Sequence, residues 1–199
     1  MVMLSILLEK TAAMHHQLCP RQVLGVRMGI LAGKLLDLDL PQEEKRLFVF
    51  METDGCAADG VSVSTGCWVG RRTMRIIDFG KVAATFVDTK TDRAYRIHPH
   101  PACRSRSREY FPEAESEWHA QRDAYQHLTD EELLLAIPVE LEVDLKSIIG
   151  QPGVRTDCTI CGEEIINQRE LVHEGSVLCL GCAGENYFKT ISASIPSRV

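Results

Sequence analysis

The sequence predicts an α+β protein in which a mostly antiparallel sheet is packed with helices and followed by a small zinc-ribbon domain. Three observations predict it. Apolar residues recur at helical intervals over positions 3–37, and short runs rich in β-branched and aromatic residues follow between 47 and 98. Two Cys-x-x-Cys pairs then stand beyond a hinge containing Gly150, Pro152 and Gly153. The 199 residues suit one ordinary domain plus an appendage, read as residues 1–150 and 151–199.

The helical pattern over 3–18 breaks at Pro20, which suits the first position of a second, amphipathic helix reaching about Asp37. Cys19 then stands at the junction, because proline disfavours a helical residue before it. Residues 47–51 read as a buried strand. Residues 56–65 read as three helical turns closed by Gly66. Runs at 74–79, 82–87 and 94–98 read as strands, separated by Gly80-Lys81 and by a turn at 88–93. Sequential strands this close are expected to be antiparallel. Residues 99–112, rich in Pro, Arg and Ser, read as a surface loop. A polar helix is expected over 113–128, then a short one opened by the capping box at Thr129 and ended by Pro138, and a last strand over 139–143.

Charge and apolar runs exclude several functional classes. With 22 Lys+Arg against 28 Asp+Glu, the formal charge is −6, which argues against phosphate-backbone binding by the whole surface. The apolar start, 1–8, is too short to span a bilayer and lacks the features of a signal peptide, so no membrane insertion is expected and a cytoplasmic location is. In a reducing compartment, eight cysteines point to metal binding or chemistry rather than disulfides.

Cys158, Cys161, Cys179 and Cys182 form two Cys-x-x-Cys pairs separated by seventeen residues, with Gly162 and Gly181 at the knuckles. That spacing suits tetrahedral zinc, and four thiolates leave no open position, so this zinc is structural. His173 between the pairs reads as a surface residue. The glutamates around them favour a protein partner over nucleic acid.

Cys19, Cys56 and Cys67 each stand near an element end beside Pro or Gly. The amides opening a helix favour a thiolate, so the Cys19 thiol is expected to be lowered. Eleven positions separate Cys56 from Cys67, close to three turns, so both sulfurs fit one helix face. His15 and His16 precede Cys19 by one turn, and imidazole with thiolate suits zinc or iron. The competing reading is that isolated cysteines are small buried hydrophobes. Cys103 reads as an incidental thiol, His98 and His100 as solvent-facing, and His119 and His127 as a solvated helix face. Arg71, Arg72, Arg104, Arg106 and Arg108 read as a charged rim or as receivers of an anion.

The segments His15-His-Gln-Leu-Cys19-Pro20-Arg21, Cys56-Ala-Ala-Asp59, Gly66-Cys67-Trp-Val-Gly70 and Gly80-Lys81 resemble, in order and spacing, the E-subunit family of formylmethanofuran dehydrogenase. The resemblance covers residues 14–97 and extends to the ribbon. It implies an α+β core, often dimeric, with His15, Cys19, Cys56 and Cys67 around a metal-binding active site and Asp59 and Lys81 nearby as charge partners or proton carriers. Gln17, Arg21 and Trp68 depart from the family pattern of His, Gly and Thr.

The expected function is thus a metal-binding protein carrying a structural zinc and a second metal, zinc or iron, at an open site with Cys19, Asp59 and Lys81 in catalytic roles. A homodimer and a redox-complex partner are expected. The alternative is a non-catalytic accessory or adaptor of a redox complex, acting through its ribbon. The molybdenum or tungsten pterin chemistry of formylmethanofuran dehydrogenase belongs to its other, larger chains.

Overall fold

The computed structural model describes residues 3–150 and 152–189, so the tail from 190 onward lies outside the described residues. The chain forms two compact units, Met1–Glu142 and Val143–Val199.

The first unit opens with α1 (Leu4–His15) and α2 (Pro20–Leu36). Pro20 occupies the first turn of α2, where its missing N–H costs nothing, and Cys19 is the N-cap. Next come β1 (Leu47–Met51), α3 (Cys56–Thr65) and β2 (Met74–Ile76). Gly66 closes α3 with φ 74°, a left-handed conformation that glycine adopts without a Cβ clash. The unit continues with β3 (Ala84–Asp88), β4 (Ala94–Pro99), α4 (Cys103–Tyr110), α5 (Glu117–His127), α6 (Asp130–Leu133) and β5 (Leu134–Val139). The strands form one sheet in the order β2-β1-β3-β4-β5, antiparallel except for the β1–β2 pair.

That sheet, mostly antiparallel and packed with helices, is the expected fold class. Three local expectations are corrected. β2 pairs parallel to β1, with Val49 opposite Met74, because α3 is a crossover that returns the chain in the same direction. Residues 103–110 are helix rather than loop. Only Cys103 and Ser107 of α4 are buried, one turn apart, so the helix has almost no apolar periodicity to read. The last strand of the sheet is 134–139, not 139–143. It begins directly after α6 and carries Pro138 opposite Tyr95, which the edge of a sheet tolerates.

The core lies between one sheet face and the helices. Val49, Met51, Phe86 and Ile97 from the strands meet Val23, Val26 and Met28 of α2 there. α2 is the central helix, packing on α1, α3, α5 and β4. Its buried Arg27 donates to the carbonyls of Tyr125 (2.9 Å) and Leu128 (2.8 Å) and pairs with Asp130 (2.9 Å), tying α2 to the end of α5.

The second unit contains α7 (Leu145–Ile149) and two hairpins, β6 (Arg155–Asp157) with β7 (Glu164–Ile166) and β8 (Leu171–His173) with β9 (Ser176–Leu178). Thr159 joins the hairpins, its N–H and hydroxyl both donating to the Val177 carbonyl at 2.8 and 3.0 Å. Among the described residues, no helix is long and apolar enough to cross a membrane.

Candidate metal centres and an adjoining cavity

In the second unit the Sγ atoms of Cys158, Cys161, Cys179 and Cys182 lie within 4.8 Å of one another. Each Cys-x-x-Cys turn directs backbone amides at sulfur: Cys179 N–H donates to Cys158 Sγ (3.4 Å) and Cys182 N–H to Cys179 Sγ (3.3 Å). The amides of Cys161 and Cys179 bring the Cys158 thiol down to about 6. The neighbouring Cys179 sulfur, followed by burial, pushes Cys182 up to about 12. Crowded sulfurs that cannot all ionise are what a divalent cation relieves, and the soft, closed donor set fits zinc.

In the first unit the decisive feature is a glycine-lined helix crossing. A Cβ on Gly25 of α2 would stand 2.2 Å from the Ala57 carbonyl oxygen, and one on Gly60 of α3 2.4 Å from that of Gln22. Further along, Gly29 meets Ser64 and Thr65. Because contacts advance along both helices together, α2 and α3 run in the same direction and start at the same end. Cys19, capping α2, and Cys56, opening α3, are therefore neighbours. Burial first, then hydrogen bonding with Cys19, pushes the Cys56 thiol up, against the helix-start effect.

The Cys19 cap is a box: its Sγ accepts from Gln22 N–H (3.4 Å), and Gln22 Oε1 accepts from Cys19 N–H (2.8 Å). Gln22 Nε2 also donates to the Thr11 carbonyl (2.8 Å), which fastens α1 against α2. At the end of α1, His15 Nε2 lies 2.6 Å from Asp59 Oδ2, one turn into α3. His16 next to it is exposed and left-handed at φ 61°.

The structure does not bring Cys67, expected at this site, to Cys19 and Cys56. Cys67 follows the far end of α3, about 15 Å of helix away. Its Sγ donates to the Leu47 carbonyl (3.3 Å), and burial pushes its thiol up. Three whole turns place two residues on one face while separating them along the axis, and the axial offset decides here. Among the described residues, the distal four cysteines are the one group of three or more His, Cys, Asp or Glu side chains with ligand atoms within 4.8 Å of one another. His15, Cys19 and Cys56 are adjacent without meeting that spacing. Lys81 is exposed, its N–H on the Glu52 carbonyl (3.1 Å).

Cys19 and Cys56 open on a cavity of about 430 Å³, also lined by Leu24, Cys103, Trp118 and Tyr125. Cys103 thus belongs to this site. Its buried Sγ lies 3.6 Å from Tyr125 Oη, and burial followed by that thiol pushes the phenol up. The available signal is the spacing of Cys103 and Ser107, whose hydroxyl donates to the Cys103 carbonyl (2.7 Å). A second cavity of about 520 Å³ is lined in part by Lys81, Arg96 and His98. The two share Arg21, Val82, Pro99 and Arg104.

A helix-packed α+β sheet followed by a unit whose four cysteines form a donor set fit for a metal ion defines the class of protein. More particularly, residues 14–137 match the family model described as FmdE, molybdenum formylmethanofuran dehydrogenase operon, which spans more than half of the chain, so the protein belongs to that family. The crystal structure of an FmdE-like protein of tungsten formylmethanofuran dehydrogenase type, from Syntrophus aciditrophicus, has the same fold. Its TM-score is 0.60 at 21% identity, covering 94% of this chain and 95% of that one. A probable S-adenosyl-L-methionine-binding protein of Archaeoglobus fulgidus is 28% identical over 91% of this chain, which spans about half (53%) of that relative's length.

Proposed function

We propose that this protein holds two metals, a structural zinc at Cys158, Cys161, Cys179 and Cys182, and a second ion, zinc or iron, at an open site formed by Cys19, Cys56 and His15. The observation that carries the second site is the convergence of Cys19 and Cys56 beside the His15–Asp59 pair at the mouth of a cavity. Two thiols and an imidazole are a fitting donor set for a borderline ion. With Nε2 on Asp59, the His15 ring keeps Nδ1 for the metal, the arrangement by which a carboxylate orients a ligating histidine. Exposed His15 turns toward the sulfurs to complete the set.

An ion bound there supplies Lewis acidity toward a water or a substrate oxygen. Asp59 fixes the imidazole through Oδ2 and takes up a proton at its other carboxylate oxygen, and Cys19 supplies a thiolate at the cavity. Lys81 approaches from the adjoining cavity and stabilises negative charge that develops there.

Elemental analysis tests this: two metals per chain are expected, falling to one in Cys19→Ser with the distal knuckles intact. One metal in both proteins would refute the open site. It would favour the second reading, a non-catalytic accessory of a redox complex that docks through the second unit. That reading is supported by the exposure of Ile160 (68%), Val172 (71%) and Tyr187 (96%) there, and by the operon after which the family is described. A homodimer is part of the proposal and is checked by sedimentation velocity.

A further inference from the structure

We infer that the two adjoining cavities form one bipartite pocket for a small organic oxyanion, a carboxylate or phosphate monoester attached to an apolar body. This deepens the proposed open site by naming its ligand class, and rests on that reading for the reactive end.

Two halves of different character meet at Arg21 and Arg104, which line both cavities. The half beyond them carries Lys81. None of these three exposed cations belongs to an ion pair among the described residues. Arg96 lines the same half but is neutralised by Glu52, which takes both of its nitrogens at 2.6 and 2.8 Å. Asp54 is the carboxylate facing them. An acidic chain of formal charge −6 thus gathers three unpaired cations against one unpaired anion at a single concavity. Like charges held together raise one another's energy, and an oxyanion relieves it by accepting their hydrogen bonds.

The other half offers an apolar wall of Leu24, Val82 and Trp118 leading to the Cys19–Cys56 thiols. A ligand held by its anion between Arg21 and Arg104 therefore lays its body along Trp118 and directs its far end at the sulfurs. Of the arginines on α4, Arg104 alone serves the pocket. Arg106 donates to the Glu132 carbonyl, and Arg108 to that of Ala114.

Calorimetric titration of the full metal-loaded chain tests the inference with four probes: phenyl phosphate, benzoate, neutral benzyl alcohol and inorganic phosphate. One of the aromatic anions is expected to bind at least ten-fold more tightly than both benzyl alcohol and inorganic phosphate, and which one it is identifies the anion. Arg21→Gln and Arg104→Gln, both at exposed positions, are each expected to weaken it about ten-fold with metal content and melting temperature unchanged. Equal binding of benzyl alcohol, equal binding of inorganic phosphate, or unaltered binding by both variants overturns the pocket. The two ideas fail separately. Arginine-dependent binding to a chain with one metal keeps the pocket and removes the open metal site, whereas two metals with arginine-independent binding does the reverse.

Discussion

Adding one methyl group at the α2–α3 crossing, as Gly25→Ala, tests what holds the two helix starts together. The new Cβ would lie 2.2 Å from the Ala57 carbonyl oxygen, 2.9 Å from Val61 N and 3.0 Å from Gly60 Cα. Ordinary contact begins near 3.4 Å, so the shortfall is about 1.2 Å. The atoms met are backbone and cannot rotate aside, which puts the overpacking cost at the upper end of its usual range, about 3 kcal/mol. Alanine returns about 1 kcal/mol of helix propensity, leaving a net loss of about 2 kcal/mol. For a unit of this size that is a drop in melting temperature of about 6 °C. Because the strain falls two turns from Cys19, occupancy of the proposed second metal should fall as well. Calorimetric melting with elemental analysis reads both. Gly70→Ala is the control, since nothing lies within 4 Å of its Cβ, and its melting temperature should hardly move. If Gly25→Ala melts at or above the wild-type temperature, the helices do not cross in backbone contact and the reasoning fails.

Three other outcomes are expected. Cys67→Ala should leave metal content unchanged and cost about 1 kcal/mol in urea unfolding, as a buried thiol does; a lost metal equivalent would return Cys67 to the site. Chelation should erase amide protection in β6 through β9 while β1 through β5 stay protected, since binding energy at such thiolate sites is folding energy; equal loss in both units would contradict this. Arg46, hydrogen-bonded to Asp88 at 2.9 and 2.8 Å, holds the buried carboxyl well below the usual carboxylate range. A lowered pKa contributes stability that is present above about pH 4 and is lost as the pH falls toward the folded-state value. Asp88→Asn should therefore flatten the acid side of the stability profile, and an unchanged slope below pH 4 would count against the pairing.

Local signals carried much of the architecture. Proline opening α2, glycine closing α3 and the capping box at Thr129 are read directly because each satisfies or spares backbone groups at a helix end. α4 escaped because its buried face is a cysteine and a serine in a strongly polar helix. The start of β5 escaped because the leucines after the capping box fit a helix as well as a strand, and pairing with β4 decides between them. The parallel β1–β2 pair required knowing that α3 crosses over the sheet.

The same division runs through the site. Cys158, Cys161, Cys179 and Cys182 were legible because each pair closes its own turn, so spacing alone brings two sulfurs together. Helical spacing likewise places Cys56 and Cys67 on a common face, yet it carries no information about which element stands opposite. Sequence by itself determined the helices α1, α2, α3, α5 and α6, the knuckles and the family. Tertiary structure alone decided that Cys56 meets Cys19 and not Cys67, and that Cys103 and Arg104 face the same cavity. The physical reason is that a side chain's partners across two helices depend on the direction and closeness of their packing, here set by Gly25 and Gly60, and neither quantity has a periodicity along the chain.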